Sequence, residues 1–208
     1  DKCIYCDFYS LSNREESIDL FVKSLCTEIK LTSEKKDIDW TIDSIFIGGG
    51  TPSLLSSYQL EKIVEHLNQN YQLDHVKEFT IEANPGEFDI HKMNDFKSIG
   101  VNRISFGFQS LNNRILKFLT RWHNSEDCIK AYNNARKIDF KNISIDMIFG
   151  IPNQSLKDWE KDLNSVIDLS PEHISAYSLT VEKRTPLYKY VKSKSIIMPH
   201  EEIDIQMY

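Results

Sequence analysis

The sequence predicts an α/β fold in which helices alternate with the strands of a parallel sheet around a polar interior. Amphipathic segments with helical spacing alternate along the chain with short apolar segments, an order typical of β-α-β units. The apolar segments also carry polar or charged residues at every second position, whereas strands covered by helices on both faces are almost continuously apolar. We therefore expect a barrel-like sheet whose outer face meets helices and whose inner face is wet or holds a polar ligand.

The helices are predicted from apolar residues that recur every three or four positions. Ser56 and Gln59 have the spacing of a capping box, and Gly100 can end the third helix. The region after Pro186 has a looser pattern, and we expect the chain to leave the main body there. The helical segments lie at 18–29, 56–67, 90–99, 129–138 and 155–166.

Five strands are predicted, and in three of them the polar and apolar residues separate onto opposite faces. The five segments are "SIFIG" from Ser44, "EFTIEAN" from Glu78, "NRISFGFQS" from Asn102, "NISIDMIFG" from Asn142 and "EHISAYSLT" from Glu172. The polar faces carry Thr80, Glu82 and Asn84, then Arg103, Ser105, Gly107 and Gln109, and then Ser144 and Asp146.

The charges on these polar faces need a physical explanation. Burying Glu82, Arg103 and Asp146 in a dry interior would cost several kcal/mol for each charge unless it were paired or neutralised. Two explanations stay open at this point. The residues line a hydrated or ligand-binding cavity, or they form an internal network of ion pairs of the kind found in barrel cores.

Composition and charge exclude several classes of function. The 208 residues include 31 acids and 25 bases, which gives a net charge of −6 and argues against non-specific binding to nucleic acid. No apolar run approaches the roughly 20 residues that cross a bilayer, so we expect no transmembrane segment. Cys26 and Cys128 stand singly in helical segments, where we expect them to be buried. Such sparse cysteines indicate a reducing compartment, and we expect the protein to be cytoplasmic.

The strongest local motif is "IFIGGGTPSLL", an apolar strand that runs into three glycines and Thr51. Glycine allows the main chain to approach a ligand closely, and Thr51 adds a hydroxyl group. Such a turn suits a carboxylate or an ammonium group. The motif matches neither the dinucleotide fingerprint nor the phosphate-binding loop. A tight turn without a ligand is the alternative interpretation.

The segment "DKCIYCDFYS" places Cys3 and Cys6 in a Cys-x-x-Cys pair. A zinc site would need two further ligands at suitable spacing, and Cys26 and Cys128 are too far apart to form a second pair. A thioredoxin-like redox pair would open a helix after a strand, which the following "DFYSLSN" does not indicate. Iron-sulfur ligation is the third possibility, but it needs another cysteine, which would lie before Asp1.

Seven motifs together resemble the radical S-adenosylmethionine (SAM) proteins related to oxygen-independent coproporphyrinogen oxidase. The similarity covers nearly the whole chain in consistent order and is closest to the heme chaperone branch of the family. The motifs are "KCIYCDF", "IFIGGGTPSLL", "FTIEANPGEF", "GVNRISFGFQSLN", "LTRWH", "ISIDMIFGIP" and "HISAYSLTVEKRTPLYK".

The resemblance implies a partial (β/α)6 barrel of the TIM type and a Cys-x-x-x-Cys-x-x-Cys loop that holds a 4Fe-4S cluster. Cys3 and Cys6 match the second and third ligands, while the first ligand and the first barrel strand would fall upstream of Asp1. Residues 1–185 would form the radical SAM core, and residues 186–208 would begin the connection to a C-terminal domain. The chain as given is therefore not expected to assemble a normal cluster.

The resemblance also implies a SAM site, in which three thiolates leave one iron open to the amino acid end of SAM. An electron donor reduces the cluster, and cleavage of SAM yields a 5'-deoxyadenosyl radical. The matching positions are Tyr5 beside the adenine, Gly49, Gly50 and Thr51 at the methionine moiety, Glu82 and Arg121 at the amino acid end, Gln109 and Asp146 at the ribose, and Thr180 against the adenosyl group. For Arg121, a solvated surface position is equally open from the residues alone.

Phe8 separates two functions found in the family. The oxidase branch has a further cysteine, where this chain carries Phe8. This departure favours a heme chaperone, which binds heme and passes it to respiratory apoproteins. The alternative is an oxidoreductase that decarboxylates the propionates of coproporphyrinogen III, so the expected partner is either heme or a porphyrinogen. The six histidines are scattered, and no heme ligand is assigned among them.

Overall fold

Helices and strands alternate along the chain in the computed structural model, which describes residues 2–9, 14–35 and 41–208. The strands are β1 (Ser44–Ile47), β2 (Glu78–Ala83), β3 (Arg103–Gln109), β4 (Asn142–Phe149) and β5 (His173–Ser178). The α-helices are α1 (Ile18–Ser33), α2 (Ser57–Asn70), α3 (Ile90–Ile99), α4 (Asn113–Phe118), α5 (Ser125–Lys137), α6 (Leu156–Asp168), α7 (Pro186–Lys192) and α8 (Glu201–Met207). Short 3-10 helices span Glu15–Ser17 and Pro52–Leu54.

The strands form one parallel sheet in the order β1-β2-β3-β4-β5, so each strand pairs with its neighbours in the chain. Successive β-α units therefore advance in one direction, as they do in the wall of a barrel. Ile47 pairs with Ile81, Ala83 with Phe106, and Phe106 with Ile145. The predicted α/β class and all five predicted strands are confirmed.

The main core lies between one face of the sheet and the helices. The predicted apolar faces of β2, β3 and β4 belong to it, because these side chains are buried in one cluster with residues of α2, α3, α5 and α6. Cys26 and Cys128 are buried in the same cluster, as predicted. The strand residues in this cluster are Phe79, Ile81, Ala83, Ile104, Phe106, Phe108, Ile143, Ile145 and Met147.

Helix termini follow the predicted capping residues. The Ser56 hydroxyl accepts the Gln59 N–H at 3.2 Å and the Gln59 side chain accepts the Ser56 N–H at 2.8 Å, which completes a capping box at the start of α2. Gly100 ends α3 with a φ of 120°, a left-handed conformation that glycine adopts without strain.

The segment after Pro186 packs against the rest of the described chain. Leu187 is fully buried and its N–H donates to the carbonyl of Ile4 at 2.9 Å. The indole N–H of Trp159 donates to the carbonyl of Met207, also at 2.9 Å, so α8 packs on α6. Both terminal helices have seven residues, which is too short to show a helical period in the sequence. The domain boundary at residue 186 stays a prediction.

Candidate functional site

The sheet face opposite the core carries the predicted polar residues. Pairing places Glu82 of β2 beside Ser105 of β3, and Asp146 of β4 beside Gly107 of β3. Gln109 ends β3 on the same side, and its side-chain oxygen accepts the hydroxyl of Tyr177 from β5 at 3.1 Å. The structure therefore brings Glu82, Gln109 and Asp146 together at one face, as the alternating pattern predicted.

An ion pair neutralises Arg103 on this face of the sheet, but no ion pair neutralises Glu82 or Asp146 among the described residues. Arg103, at the start of β3, lies 3.9 Å from the carboxylate of Glu78 and donates to the Thr80 hydroxyl at 3.3 Å. Glu82 and Asp146 form no salt bridge with any described residue. The network interpretation thus holds at the amino end of β3, while the carboxylates nearer the other end lack a cation.

The two unpaired carboxyl groups are held by dipoles. The Glu82 carboxylate accepts the backbone N–H of Gly49 at 2.9 Å, and Asp146 accepts the hydroxyl of Ser105 at 3.2 Å. Burial raises the pKa of both carboxyl groups above their usual range, although these hydrogen bonds oppose the shift. Two acids with raised pKa values on one face are typical of a binding site for a cation or a polar ligand.

The glycine turn after β1 is shaped by Gly48 and Gly49. A Cβ atom on Gly48 would lie 2.7 Å from Cδ of Glu82 and 2.5 Å from a ring carbon of Phe46, so only glycine fits without displacement. Gly49 has a φ of 96°, which points its N–H at Glu82. Gly50 has open space around its Cα. Gly49 and Gly50 were predicted site residues and Gly48 was not, although the three-glycine run contained the signal.

Arg121 lies inside a hydrogen-bond network rather than on a solvated surface. Its guanidinium donates to Asn84 Oδ1 at 2.5 Å, to the Gly107 carbonyl at 2.9 Å, and to Cys3 Sγ at 3.5 Å. Asn84 in turn donates to the Thr51 hydroxyl at 3.4 Å. Arg121 therefore links the cysteine segment to the ends of β2 and β3, and Asn84 extends this link to the glycine turn.

The segment that carries Cys3 and Cys6 is attached to the main body at several points. Cys6 N–H donates to the Cys3 carbonyl at 3.2 Å, which closes a turn between the two thiols. The Ile4 N–H donates to the Thr120 hydroxyl at 3.1 Å. Asp7 accepts two hydrogen bonds from the Arg184 guanidinium, at 3.0 and 3.2 Å.

Two predicted adenosyl contacts occupy different environments. Tyr5 packs with Ile4 against an apolar cluster of α4, β4 and α7, and burial raises the pKa of its phenol while the charge of Arg121 opposes the shift. Thr180 is exposed just beyond β5, and its side chain makes no hydrogen bond to the described residues. The roles assigned to these residues by resemblance stay predictions.

Sequence comparison assigns the family. The sequence model of the radical SAM superfamily matches residues 1–166, which is well over half of the chain. The chain belongs to the radical SAM superfamily. Membership implies a 4Fe-4S cluster and SAM as cofactors.

Two of the proteins with similar sequences are named heme chaperones. HemW of Buchnera aphidicola (Schizaphis graminum) is 40% identical over 96% of this chain and 52% of its own length. HemW of Bacillus subtilis is 36% identical over 99% of this chain and 54% of its own. The chain thus spans about half the length of the curated relatives that it matches.

The fold is also that of a solved radical SAM structure. Coproporphyrinogen III oxidase (HemN) of Escherichia coli superposes with a TM-score of 0.86, covering 100% of this chain and 48% of that one, at 23% identity. This similarity confirms the TIM-like radical SAM fold. Among the described residues, no helix is long and apolar enough to cross a membrane.

The residues of this radical SAM chain fit the cofactors that the superfamily implies. Cys3 and Cys6 supply two sulfur ligands of the kind that binds iron in clusters, and the Arg121 guanidinium lies 3.5 Å from the Cys3 Sγ atom. Within the described ranges, no three His, Cys, Asp or Glu side chains converge on one point. The glycine turn and the Glu82 and Asp146 carboxyl groups form a polar cradle suited to an amino acid and a ribose.

Proposed function

We propose that this chain forms the cluster- and SAM-binding core of a heme chaperone. The observation that carries the proposal is the position of two half-buried carboxyl groups without a salt bridge, on the sheet face beside the glycine turn and the network that reaches Cys3. Partly desolvated carboxyl groups that only dipoles hold suit a site that a cationic, hydroxyl-rich ligand completes.

Different side chains would contact different parts of SAM. Glu82, fixed by the Gly49 N–H, would accept the ammonium group of SAM, and Arg121 would face its carboxylate. Asp146 and Gln109 lie further along the sheet, where their oxygens would accept the ribose hydroxyls. Tyr5 would cover the adenine. These residues orient the ligand and exclude water, and none of them needs to exchange a proton with it.

Cys3 and Cys6 would supply thiolate ligands to the cluster, and an electron donor would bind near the segment that holds them. Bound together, the cluster and SAM supply one-electron chemistry in which the sulfonium bond is cleaved reductively. The contribution of this chain is placement: Arg121 keeps the Cys3 thiol in a positive environment, and Thr120 fixes the main chain at Ile4.

The choice of a heme chaperone rests on Phe8 and on the named relatives. Phe8 stands where the oxidase branch has its extra cysteine, and its side chain is 58% exposed, so no core packing explains its size. Several proteins named heme chaperone HemW match at 32–40% identity. We infer that the full-length protein binds heme and delivers it to respiratory apoproteins.

The experiment is anaerobic reconstitution of the full-length protein with iron and sulfide, followed by heme titration and a coproporphyrinogen assay on the same preparation. Stable heme uptake without porphyrinogen turnover is expected. Cys3→Ala and Cys6→Ala should lose the cluster absorbance, whereas Cys26→Ala serves as the matched control because Cys26 is buried in the core. Turnover of porphyrinogen with stoichiometric 5'-deoxyadenosine would overturn the chaperone proposal.

Coproporphyrinogen oxidation is the second candidate. It is favoured by the structural similarity to E. coli HemN over the whole chain. The same assay separates the candidates, and a Phe8→Cys variant tests the motif directly. If the missing cysteine is what excludes oxidase chemistry, this variant should gain porphyrinogen turnover that the parent lacks.

A further inference from the structure

The carboxyl end of β3 has an unusual backbone. The pairing with β4 shifts register between Gly107 and Gln109, and Gln109 has a φ of 68° although it is not glycine. A side chain in this left-handed region persists only where the surrounding structure determines it, and such residues cluster at functional sites. The residues that follow Gln109 should therefore be held firmly.

Asp162 of α6 holds these residues. Its Oδ2 accepts the hydroxyl of Ser110 in a short hydrogen bond and the backbone N–H of Leu111 at 3.0 Å. The Ser110 hydroxyl also accepts the N–H of Asn112 at 3.0 Å. One carboxylate oxygen thus fixes the first two residues after Gln109 and, through Ser110, the N-cap of α4.

Asp162 and Ser110 lie in the protein interior and not on its surface. Asp162 is 4% exposed and Ser110 is 0% exposed. Asp162 has no salt-bridge partner among the described residues, and burial raises the pKa of its carboxyl group while Ser110 and Leu111 oppose the shift. Trp159 and Val166, which share the buried side of α6, are apolar. An acid at this position is costly for packing alone.

We propose that Asp162 is a positioning residue that holds the carboxyl end of β3 so that the Gln109 side chain faces the nucleoside. By fixing residues 110–111, it maintains the left-handed conformation of Gln109 and keeps its amide 3.1 Å from the Tyr177 hydroxyl. The inference rests on the proposed SAM site and adds to it a residue on the far side of the sheet.

The test measures the dissociation constant for S-adenosylhomocysteine, by calorimetry, in the reconstituted full-length protein. Asp162→Leu should weaken binding about tenfold, because both donors lose their acceptor. Asp162→Asn keeps one oxygen for the same donors and should stay within about threefold of the parent. Val166→Ala is the matched control, since it destabilises the same helix without removing a hydrogen bond to residues 110–111 and should leave the dissociation constant unchanged.

A double-mutant cycle shows whether Asp162 acts through Gln109. In a Gln109→Ala background, Asp162→Leu should cause no further loss of affinity. Fully additive losses, or normal affinity in Asp162→Leu, would overturn the inference. If Asp162→Leu does not fold, Ser110→Ala removes one of the two hydrogen bonds to Asp162 with a smaller change, and a several-fold loss of affinity is then expected. Failure of the parent protein itself to bind the probe would instead overturn the proposed SAM site.

Discussion

The guanidinium of Arg121 lies 3.5 Å from the Sγ atom of Cys3 and 2.9 Å from the carbonyl oxygen of Gly107. One side chain therefore joins the thiol segment to the third strand of the sheet. A Cβ on Gly107 would come within 3.3 Å of the Arg121 Nη2 atom, so the glycine leaves the space that this contact requires.

Replacing Arg121 with lysine should break this link. A lysine ammonium cannot reach three acceptors with the planar geometry of the guanidinium, so we expect at least tenfold weaker binding of S-adenosylhomocysteine and partial loss of cluster absorbance. Arg114→Lys is the control, because Arg114 is exposed and contacts Asp158 and Asn153 at the surface. Equal losses in both variants would contradict a specific role for Arg121.

Asn84→Asp should separate the contact that the Asn84 oxygen accepts from the two that its amide nitrogen donates. Aspartate still accepts from Arg121, but it cannot donate to the Thr51 hydroxyl and it faces the Glu87 carboxylate, which Asn84 contacts at 3.1 Å. We expect normal cluster content and several-fold weaker SAM binding, measured by absorbance and calorimetry. Thr51→Val should reproduce the binding loss alone. Cluster loss in Asn84→Asp would show that the donor side also supports the thiol segment.

Gly48→Ala and Gly50→Ala form a matched pair. The new methyl group at position 48 would meet the Glu82 carboxyl group and the Phe46 ring, while position 50 has room for it. One of these side chains must move to admit the methyl group, so Gly48→Ala should unfold at lower denaturant and bind SAM weakly. Gly50→Ala should match the parent in stability. A stable Gly48→Ala variant with normal affinity would mean that Glu82 can move freely.

Glu82→Gln and Asp146→Asn should stabilise the protein free of cofactor at neutral pH. Burial raises the pKa of both carboxyl groups in the folded state, so the folded chain binds more protons than the unfolded one, and its stability falls as pH rises from about 4 through the raised value. Removing a charge should raise Tm by about 2–4 °C, the shift expected for about 1 kcal/mol in a chain of this size.

The same two variants should bind SAM more weakly, which separates stability from function. Asp89 provides a control of opposite sign. It is the N-cap residue of α3, and the hydrogen bond that it accepts from the Lys92 N–H lowers the pKa of the Asp89 carboxyl group. Asp89→Ala should therefore lower Tm. Thermal unfolding between pH 5 and pH 8 measures all three variants. The Tm advantage of Glu82→Gln and Asp146→Asn over the parent should grow as pH rises, and an advantage that shrinks across this range would contradict the expected sign.

Much of the site could be predicted because alternation along a strand determines which residues share a face. Glu82 and Asp146 lie on the polar face of the sheet for this reason, and Gln109 ends its strand on the same side. Arg121 could be found only by resemblance, because it follows α4 in a loop without periodicity. Its partners depend on how the cysteine segment docks, which no local pattern reveals.

Other residues were missed for identifiable reasons. Asp162 lies three residues after Trp159 and four before Val166, so an acid on the buried stripe of α6 was a usable signal. Tyr177 was not assigned a role because its strand alternates weakly between apolar and polar residues. The helix α4 has six residues, fewer than two full turns, and therefore shows no readable period.

The backbone hydrogen bond from Leu187 to Ile4 joins two segments that are distant in sequence. The short helix that begins at Pro186 and the turn between the thiols are consequently parts of one mechanical unit, reinforced by the contact of Arg184 with Asp7. The placement of the two sulfur atoms therefore depends on how this helix docks as well as on the sheet.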